Sequence, residues 1–335
     1  MTDHLTANGE EIKVYDLERI DLSNPNIHES AALLRKACME SGIFYVINHG
    51  ISQEFMDETF SQFKRFLDLP IEEKMKLVCD KPLRGYGPPN RSYIDDKTKL
   101  KVGLAETFHI GIDVSEDDPT AQDFLQGQNI WPPADLLPGF REAMHKYQQE
   151  ATNVGRRIGK IIAVALNLSE DFFDQPELIG SANANYNNMF HYGGYGAELS
   201  NDVVGSPPHC DLNLITLLAT DDIWGLQICR EKNTESLVWE AIAPLKGAFI
   251  VNVGDMLEIL TNGLFRSILH RVVVDHERYS SAAFMCPHHD YIIKCLPTCI
   301  SEENPPKYPT IRTGQYIYNR LVQMAASTVE KEVKG

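Results

Sequence analysis

The sequence predicts a mainly β protein whose core is a distorted double-stranded β-helix, or jelly roll, with flanking α-helices. After residue 181, eight short segments rich in β-forming residues alternate with turn residues. Antiparallel strands at this spacing avoid exposed edges by closing into a double sheet. Before residue 181, apolar residues recur mainly at helical spacing. We therefore expect a helix-rich region over 1–180, the jelly roll over 181–300 and a helical tail over 301–335.

The N-terminal region is predicted to alternate helices with short strands. The segment IKVYDLERIDL indicates a brief strand. Apolar residues at every third or fourth position predict a helix over 28–41, which Gly42 ends, and IFYVINHG predicts the strand that follows. Residues 55–67 predict an amphipathic helix with Phe60 and Phe63 on its apolar side.

The middle of the chain predicts loops and one long helix ahead of the jelly roll. Residues 84–133 are rich in Gly, Pro, Asp and Asn, and long loops of this kind often carry function. The helical pattern returns over 137–168, and we expect this helix to back a sheet. The predicted strands of the cupin-like double sheet are ANANYNNMFHY, LNLITLLAT, GLQICR, SLVWEAIAP, AFIVNVG, SILHRVVV, RYSSAAFMC and DYIIKCL.

Composition restricts the partners of the chain. Among 335 residues, 31 Lys and Arg stand against 47 Asp and Glu, a net charge of −16, so we expect no nucleic-acid partner and a small-molecule one. No apolar run approaches the ~20 residues that a membrane helix needs, and neither end resembles a targeting signal, so we expect no membrane association and a cytoplasmic monomer. The seven cysteines, odd in number and irregularly spaced, predict reduced thiols.

Three side chains suggest a metal site. His209 and Asp211 are two residues apart, so on an extended chain both point to one side. His270 flanks another predicted strand, and strands that are remote in sequence can be neighbours in a jelly roll. Two histidines and one carboxylate are the ligand set of mononuclear non-haem iron(II) oxygenases, which leave metal positions free for other ligands. A zinc site with three protein ligands and a water is the alternative.

A second pair of residues suggests an anchor for a dicarboxylate. Arg278 and Ser280 share one side of a predicted strand because side chains alternate along it. A guanidinium can donate two charge-assisted hydrogen bonds to a carboxylate, and a serine hydroxyl can add a third. Each motif alone is weak, because a lone His-x-Asp or Arg-x-Ser pattern is common by chance.

The order of these motifs resembles the 2-oxoglutarate- and iron(II)-dependent dioxygenases, in the plant-type branch related to isopenicillin N synthase. The resemblance covers nearly the whole chain. Its N-terminal part rests on LRKACMESGIFYVINHGIS, FKRFLDLPIEEKMKL, RGYG, AETFHIG and NIWPP. Its C-terminal part rests on NNMFHY, PPHCDLNLITLL, GLQI, GAFIVNVGDMLEILTNGLFRSILHRV and RYSSAAFMCP.

The resemblance implies an enzyme that uses Fe(II), O2 and the co-substrate 2-oxoglutarate, with ascorbate as a reductant. It implies that the metal ligands are His209, Asp211 and His270, and that the co-substrate is held by Arg278, Ser280 and Tyr192. The implied reaction converts 2-oxoglutarate to succinate and carbon dioxide while a small organic metabolite is hydroxylated, or demethylated where the new hydroxyl group lies beside nitrogen or oxygen. Specialised or hormone metabolism is the setting that the family implies.

Substrate-contacting residues are harder to identify than the metal ligands. By position in the family, the candidates are Phe284, Phe108, His109, Asn185 and Met189, although aromatic residues on an inner sheet face usually belong to the core. Two departures from the family pattern lie near the metal site. Gly193 follows Tyr192 where proline is usual, and Cys210 separates His209 from Asp211 where Thr or Ser is usual. We expect the Cys210 thiol to be liable to oxidation.

Two other functions fit the same residues. The first is an iron-dependent oxidase of this scaffold that does not use 2-oxoglutarate, since Arg-x-Ser occurs there too, and succinate release would distinguish it. The second is a non-catalytic protein that binds or senses a small molecule. The mark of such a protein would be a lost metal ligand, whereas this chain keeps all three.

Overall fold

Two β-sheets frame the molecule in the computed structural model. The described residues are 5–7, 10–78, 84–89, 93–94, 101–102, 105–111, 113–115, 117, 126–180, 185–193, 200–232, 234 and 237–332. Before residue 181 the strands are β1 (Leu5–Ala7), β2 (Glu10–Ile12), β3 (Arg19–Asp21), β4 (Ile43–Ile47), β5 (Gly85–Gly87), β6 (Tyr93–Ile94), β7 (Lys101–Val102) and β8 (Glu106–Ile110). The helices there are α1 (Ile27–Glu40), α2 (Gln53–Leu67), α3 (Ile71–Met75) and α4 (Phe140–Ala165).

The second half of the chain is mostly strands. These are β9 (Asn185–Tyr192), β10 (Ser200–His209), β11 (Ile215–Thr220), β12 (Leu226–Cys229), β13 (Glu240–Ala241), β14 (Phe249–Val253), β15 (Leu269–Val274), β16 (Arg278–Met285), β17 (Ile292–Ile293) and β18 (Ile311–Arg312). Two helices accompany them, α5 (Asp255–Leu260) and α6 (Thr313–Glu332), and short 3-10 helices cover Phe172–Asp174 and Pro297–Cys299.

The two sheets combine strands from both halves of the chain. The major sheet has the order β3-β4-β14-β11-β16-β9-β8-β5, and the minor sheet has the order β13-β12-β15-β10-β7-β6. Residues of both sheets line one cavity between them, which is the arrangement of a jelly roll. The predicted fold class is therefore confirmed. Because β3, β4, β5 and β8 belong to the major sheet and β6 and β7 to the minor sheet, the first 180 residues contribute strands to both sheets.

Local signals in the sequence explain where the first helices begin and end. The side chain of Asn26 accepts a hydrogen bond from the backbone N–H of Glu29 at the start of α1, and Ser52 does the same for Phe55 at the start of α2. Gly42 ends α1 with φ 70°, and a Cβ there would lie 2.0 Å from the carbonyl oxygen of Arg266. Only glycine fits this turn into β4.

Helix α4 packs on the outer face of the major sheet, as the long apolar pattern predicts. Its buried side includes Tyr147, Ala151 and Ile158, which join the main hydrophobic core. Gly155 lets the helix approach β16, because a Cβ at this position would lie 2.7 Å from the sulfur of Met285. The helix thus supports the sheet from the side opposite the central cavity.

The sequence pattern missed one strand that proves important. β10 contains Gly205, Pro207 and Pro208, which interrupt the usual strand signals. Its pairing with β15 is irregular, with shifts of register along its length, and such bulges accommodate residues that a regular ladder excludes. The six cysteines in the described part of the chain are free thiols.

Candidate active site

The pairing of β10 with β15 brings the two predicted metal-binding histidines together. His209 at the end of β10 is directly opposite His270 on β15, and their ring centroids are 4.2 Å apart. Asp211 follows two residues after His209. Its Oδ1 atom is 3.5 Å from Nε2 of His209 and 3.7 Å from Nε2 of His270. Three candidate ligand atoms therefore converge on one point.

Backbone carbonyl groups fix the orientation of both imidazole rings. Nδ1 of His209 donates to the carbonyl oxygen of Pro207 at 2.8 Å, and Nδ1 of His270 donates to that of Ile268 at 3.1 Å. A carbonyl oxygen only accepts, so each Nδ1 carries a hydrogen, and in the neutral form of each ring Nε2 keeps its lone pair. Such hydrogen bonds to the far nitrogen are typical of metal-binding histidines.

The carboxylate of Asp211 is held in a similar way. Its Oδ2 accepts hydrogen bonds from Oγ1 of Thr216 at 2.5 Å and from Nδ2 of Asn252 at 2.9 Å, while Oδ1 faces the histidines. Burial alone would raise the pKa of Asp211, but the neighbouring His270 and His209 outweigh burial and lower it. The side chain is therefore an anion, which favours a cation at the point where the three groups meet.

The donor set fits a divalent metal ion with open coordination positions. Two imidazole nitrogens and one carboxylate oxygen lie within 4.8 Å of one another, and the three residues line one wall of the cavity. Burial and the neighbouring His209 lower the pKa of His270 to about 4, so this ring is neutral and able to bind a metal near neutral pH. This geometry suits non-haem iron(II), and the donor set alone also permits zinc.

The predicted carboxylate anchor shares the same cavity of about 130 Å³. Arg278 and Ser280 are each only 2% exposed, and the guanidinium of Arg278 lies 5.1 Å from the ring centroid of Tyr192. Among the residues that the structure describes, no group accepts a hydrogen bond from Nε of Arg278. A buried guanidinium with an unpaired N–H group is costly, so this site fits an anionic ligand.

A glycine makes room for this arginine. Gly225 precedes β12, and a Cβ there would lie 3.0 Å from Cδ of Arg278 and 2.8 Å from the carbonyl oxygen of Val273. Burial lowers the pKa of Arg278, and the nearby Tyr192, Asp221 and Asp275 oppose this shift. The guanidinium thus stays charged between the two sheets.

A second, mostly apolar cavity of about 200 Å³ adjoins the metal-binding residues. It is bounded by strands β9 and β16 and by helix α6 at the C-terminal end of the chain. Its lining residues are Tyr186, Asn188, His209, Cys210, Asp211, Leu212, Asn213, Phe284, Cys286, Ile317 and Leu321. A third cavity of about 340 Å³ includes Thr107, His109, Phe190 and Tyr192. Of these two spaces, the second cavity can hold an organic molecule beside the candidate metal ligands His209 and Asp211.

The structure separates the five predicted substrate residues into two groups. Phe284 and His109 line these cavities, as the sequence suggests. The prediction is wrong for Phe108, Met189 and Asn185, which face the helices on the other side of the major sheet. Phe108 and Met189 belong to a separate hydrophobic core, and Asn185 donates from Nδ2 to Oγ1 of Thr152 on α4.

The error has a simple cause. Side chains alternate between the two faces of the sheet along β8 and β9. If the inward-facing residue is assigned one position away, every residue predicted to face the cavity in fact faces the helices. The inner residues of β9 are Tyr186, Asn188, Phe190 and Tyr192. Nearly all of β9 is buried on both faces, so hydrophobicity gave no sign of which set points inward. The cavity residues Cys286, Ile317 and Leu321 carried no recognisable signal.

A second group of potential metal ligands forms contacts with other protein side chains. His288, His289 and Asp290 lie together near the surface. Arg312 forms an ion pair with Asp290, and Nδ1 of His289 is 2.8 Å from Nε2 of Gln126. These contacts give the cluster a structural role.

Comparison with known families extends these observations. Residues 12–134 match the family model for the non-haem dioxygenase in morphine synthesis N-terminal region, and residues 183–287 match that of the 2OG-Fe(II) oxygenase superfamily. The chain is 78% identical to an azadirone synthase from Melia azedarach, over 99% of this chain and 100% of the relative. It is 63% identical to a kihadalactone A synthase from Citrus sinensis, over 98% of each chain.

Solved structures show the same architecture. A full-length Neurospora crassa protein crystallised with α-KG, which is 2-oxoglutarate, superposes with a TM-score of 0.76 at 26% identity, over 95% of this chain and 98% of that one. JOX2 in complex with 2OG, Fe and JA superposes with a TM-score of 0.72 at 29% identity, and the match covers 92% of this chain and 85% of JOX2. Within the residues that the structure describes, every helix is too short or too polar to traverse a lipid bilayer.

Proposed function

The chain belongs to the 2-oxoglutarate- and iron(II)-dependent oxygenase family, and from this premise we propose which of its residues carry the reaction. His209, Asp211 and His270 hold the iron, and Arg278, Ser280 and Tyr192 hold the distal carboxylate of 2-oxoglutarate. The observation that carries this assignment is the single cavity that joins three convergent metal ligands to a buried arginine with an unpartnered Nε. A molecule with a carboxylate at each end can bind the metal with one carboxylate and the guanidinium of Arg278 with the other.

With iron and 2-oxoglutarate bound, the site supplies oxidative decarboxylation of the co-substrate, giving succinate and carbon dioxide, coupled to oxidation of an organic substrate. The protein supplies the positions of the participants. Pro207 and Ile268 keep the two imidazole rings in a metal-binding tautomer, and Thr216 and Asn252 hold the carboxylate of Asp211. Ascorbate serves as an accessory reductant that keeps the iron ferrous.

The apolar walls of the cavity keep water away from the co-substrate. Leu218, Leu226, Val272 and Ala282 line the same cavity as the proposed iron ligands and Arg278. In such surroundings the attraction between a guanidinium and a carboxylate is stronger than in water. The second cavity, beside His209 and Asp211, takes the organic substrate, and Phe284 borders both spaces.

For the substrate, we propose the precursor that the azadirone synthase of Melia azedarach converts to azadirone. Support comes from 78% identity across nearly the full length of both chains and from the mostly apolar cavity beside the proposed iron site, which suits a molecule of low polarity. Specialised plant metabolism is then the setting. We also propose that the enzyme acts in the cytoplasm as a monomer.

The direct test is to incubate the purified enzyme with Fe(II), 2-oxoglutarate, ascorbate and that precursor. We expect azadirone by liquid chromatography and mass spectrometry, together with succinate in about equal amount. Product formation without succinate would instead indicate an oxidase that does not use 2-oxoglutarate. No azadirone, with succinate released on another metabolite from a panel of plant compounds, would keep the reaction and reject the substrate.

A further inference from the structure

Helix α6 forms one wall of the cavity proposed for the substrate. Its side chains Ile317 and Leu321, which are about one helical turn apart, line that cavity beside the proposed iron ligands. Tyr318 and Val322 lie on the solvent side of the same helix, and each is 46% exposed. The position of α6 therefore sets one boundary of the space in which a substrate lies.

The first turn of α6 is fixed to the segment that follows β16. The backbone N–H and the hydroxyl of Thr313 both donate to the carbonyl oxygen of Tyr291, at 2.9 and 3.1 Å. The N–H of Gly314 donates to the carbonyl oxygen of His289 at 2.8 Å. These bonds hold the start of the helix, so its direction depends on contacts further along.

Asp255, the first residue of α5, supplies such a contact. Its Oδ2 accepts a hydrogen bond from the hydroxyl of Tyr316 at 2.8 Å and lies 3.7 Å from Nη2 of Arg320. Tyr316 and Arg320 are four residues apart, so they share one side of α6, next to the side that lines the cavity. Burial and the neighbouring carboxylate of Asp255 raise the pKa of Tyr316, so the hydroxyl keeps the hydrogen that it donates.

The other groups of Asp255 connect it to the proposed iron site. Its Oδ1 accepts a hydrogen bond from Oγ of Ser267 at 2.7 Å, and its backbone N–H donates to the carbonyl oxygen of Asp211 at 2.7 Å. Gly254 allows this close approach, because a Cβ there would lie 2.3 Å from the carbonyl oxygen of Asn213. One residue thus contacts both the helix that bounds the cavity and the backbone of a proposed iron ligand.

We propose that Asp255 and Tyr316 form a clamp that places α6 so that the substrate lies at the correct distance from the iron. The contacts of Ile317 and Leu321 are apolar and not directional, whereas a hydrogen bond to a carboxylate is directional and strong. Neither Asp255 nor Tyr316 lines the cavity, so both are positioning residues. This inference rests on the proposed function, since it requires the substrate to occupy the cavity beside His209.

The variant Tyr316→Phe removes only the hydroxyl of the clamp. With the azadirone precursor as substrate, we expect its KM to rise about tenfold, because a buried hydrogen bond to a charged group is lost. Succinate released per azadirone formed should rise as well, because a misplaced substrate is oxidised less often. The KM for 2-oxoglutarate and the iron content should keep their wild-type values, which a general loss of structure would change. Tyr318→Phe, on the solvent side, is the control and should leave all four quantities unchanged.

A double variant shows whether the clamp acts through the cavity wall. Leu321→Ala removes the side chain that the clamp places against the substrate, and Val322→Ala is its control on the solvent side. If Tyr316 acts by placing Leu321, the double variant should bind little more weakly than Leu321→Ala alone, whereas independent effects would add. Calorimetric titration with azadirone as the probe measures the Kd of each variant.

Hydrogen–deuterium exchange reports on the helix without turnover. In Tyr316→Phe we expect faster exchange of the backbone amides over 315–323 and wild-type exchange in strands β10 and β15. An unchanged Kd for azadirone with an unchanged ratio of succinate to azadirone in Tyr316→Phe would overturn the proposal. Additive losses in the double variant, or a matching rise in the KM for 2-oxoglutarate, would also overturn it.

The clamp and the proposed function fail in distinguishable ways. Succinate release and azadirone formation by the wild-type enzyme test the function, whereas the comparison of Tyr316→Phe with wild type tests the clamp. If the wild type oxidises a different metabolite, the same comparison is made with that metabolite. Equal KM and equal succinate per product in variant and wild type would then reject the clamp and leave the reaction intact.

Discussion

His209 and His270 are directly opposed residues of the β10–β15 ladder, and the ring of each donates its Nδ1 hydrogen to the carbonyl oxygen two positions earlier in the chain. The same local contact therefore orients both rings, although the residues are far apart in the sequence. Both Nε2 atoms are fixed by a sheet, which is more rigid than a loop. A preformed metal site of this kind needs little rearrangement when iron binds.

Replacing Asp211 by alanine removes the only carboxylate of the proposed iron site. We expect the iron content after desalting to fall to background and succinate release to fall more than about 100-fold, because two neutral imidazoles bind iron(II) weakly without an anionic ligand. Iron can be measured by inductively coupled plasma mass spectrometry. Near wild-type iron content in this variant would place the metal elsewhere.

The second His–His–Asp cluster provides the matched control for this experiment. Asp290 is also an aspartate beside two histidines, but Arg312 neutralises it. The variant Asp290→Ala should keep full iron content and full succinate release. Loss of iron in Asp290→Ala would show that this surface cluster contributes a bound metal.

Replacing Arg278 by lysine tests the co-substrate anchor. Lysine keeps the positive charge but cannot donate two parallel hydrogen bonds to a carboxylate, so we expect the KM for 2-oxoglutarate to rise about 10- to 100-fold. The maximal rate should change less, because the iron ligands are untouched. The measurement is succinate formation as a function of 2-oxoglutarate concentration.

Arg271 on β15, in the minor sheet, offers a control. Its guanidinium lies over the ring of Trp239 and donates from Nε to Oε1 of Gln227, and it does not line the cavity that Arg278 lines. Arg271→Lys should leave the KM for 2-oxoglutarate unchanged. A similar rise in both variants would mean that the effect comes from a general disturbance of the fold and not from loss of the anchor.

The sequence indicated two pairs of candidate site residues because the members of each pair are two positions apart on extended chain. His209 with Asp211, and Arg278 with Ser280, follow the two-residue period of a strand. The contact of His270 with His209 depends on which strands pair and in which register, and no local pattern contains that information. It was reached through the family resemblance.

The substrate residues were predictable only in part, for a physical reason. Where one face of a strand meets water, polar and apolar residues alternate and reveal the inner face. Both faces of β9 are buried, so Asn188 and Met189 look equivalent in the sequence although they point to opposite sides of the sheet. Helix α6 closes the cavity with Ile317 and Leu321, a long-range contact that only the tertiary structure reveals.

The buried ring of His191 makes stability depend on pH. Its Nε2 is 2.7 Å from Oε1 of Glu277 and its Nδ1 is 3.4 Å from Oε2 of Glu106. Burial lowers the pKa of His191, but the two carboxylates outweigh burial and raise it above its ordinary value. The protonated ring therefore stabilises the fold fully below the ordinary pKa of ~6.5, and this contribution is lost as the pH rises through the raised value.

We expect His191→Gln to lower the free energy of unfolding by about 1–2 kcal/mol at pH 6, because a charged hydrogen bond is lost. The lower end of this range applies because Glu277 is partly exposed to solvent. The difference from wild type should shrink toward pH 9. Urea unfolding at a series of pH values measures it. His276→Gln, at an exposed histidine, should give only a small difference, and a pH-independent difference for His191→Gln would contradict the assignment.

Cys210 lies between two proposed iron ligands and lines the cavity meant for the substrate. Burial raises the pKa of its thiol to about 11, so it is not a thiolate that reacts freely with oxidants in solution. Its oxidation should therefore require turnover at the iron.

When the enzyme consumes 2-oxoglutarate without substrate, we expect peptide mass spectrometry to show added oxygen on Cys210. The buried Cys38, which packs in the main hydrophobic core, is the control and should stay unmodified. Adding substrate should protect Cys210, and an unmodified Cys210 peptide after extensive uncoupled turnover would reject this prediction.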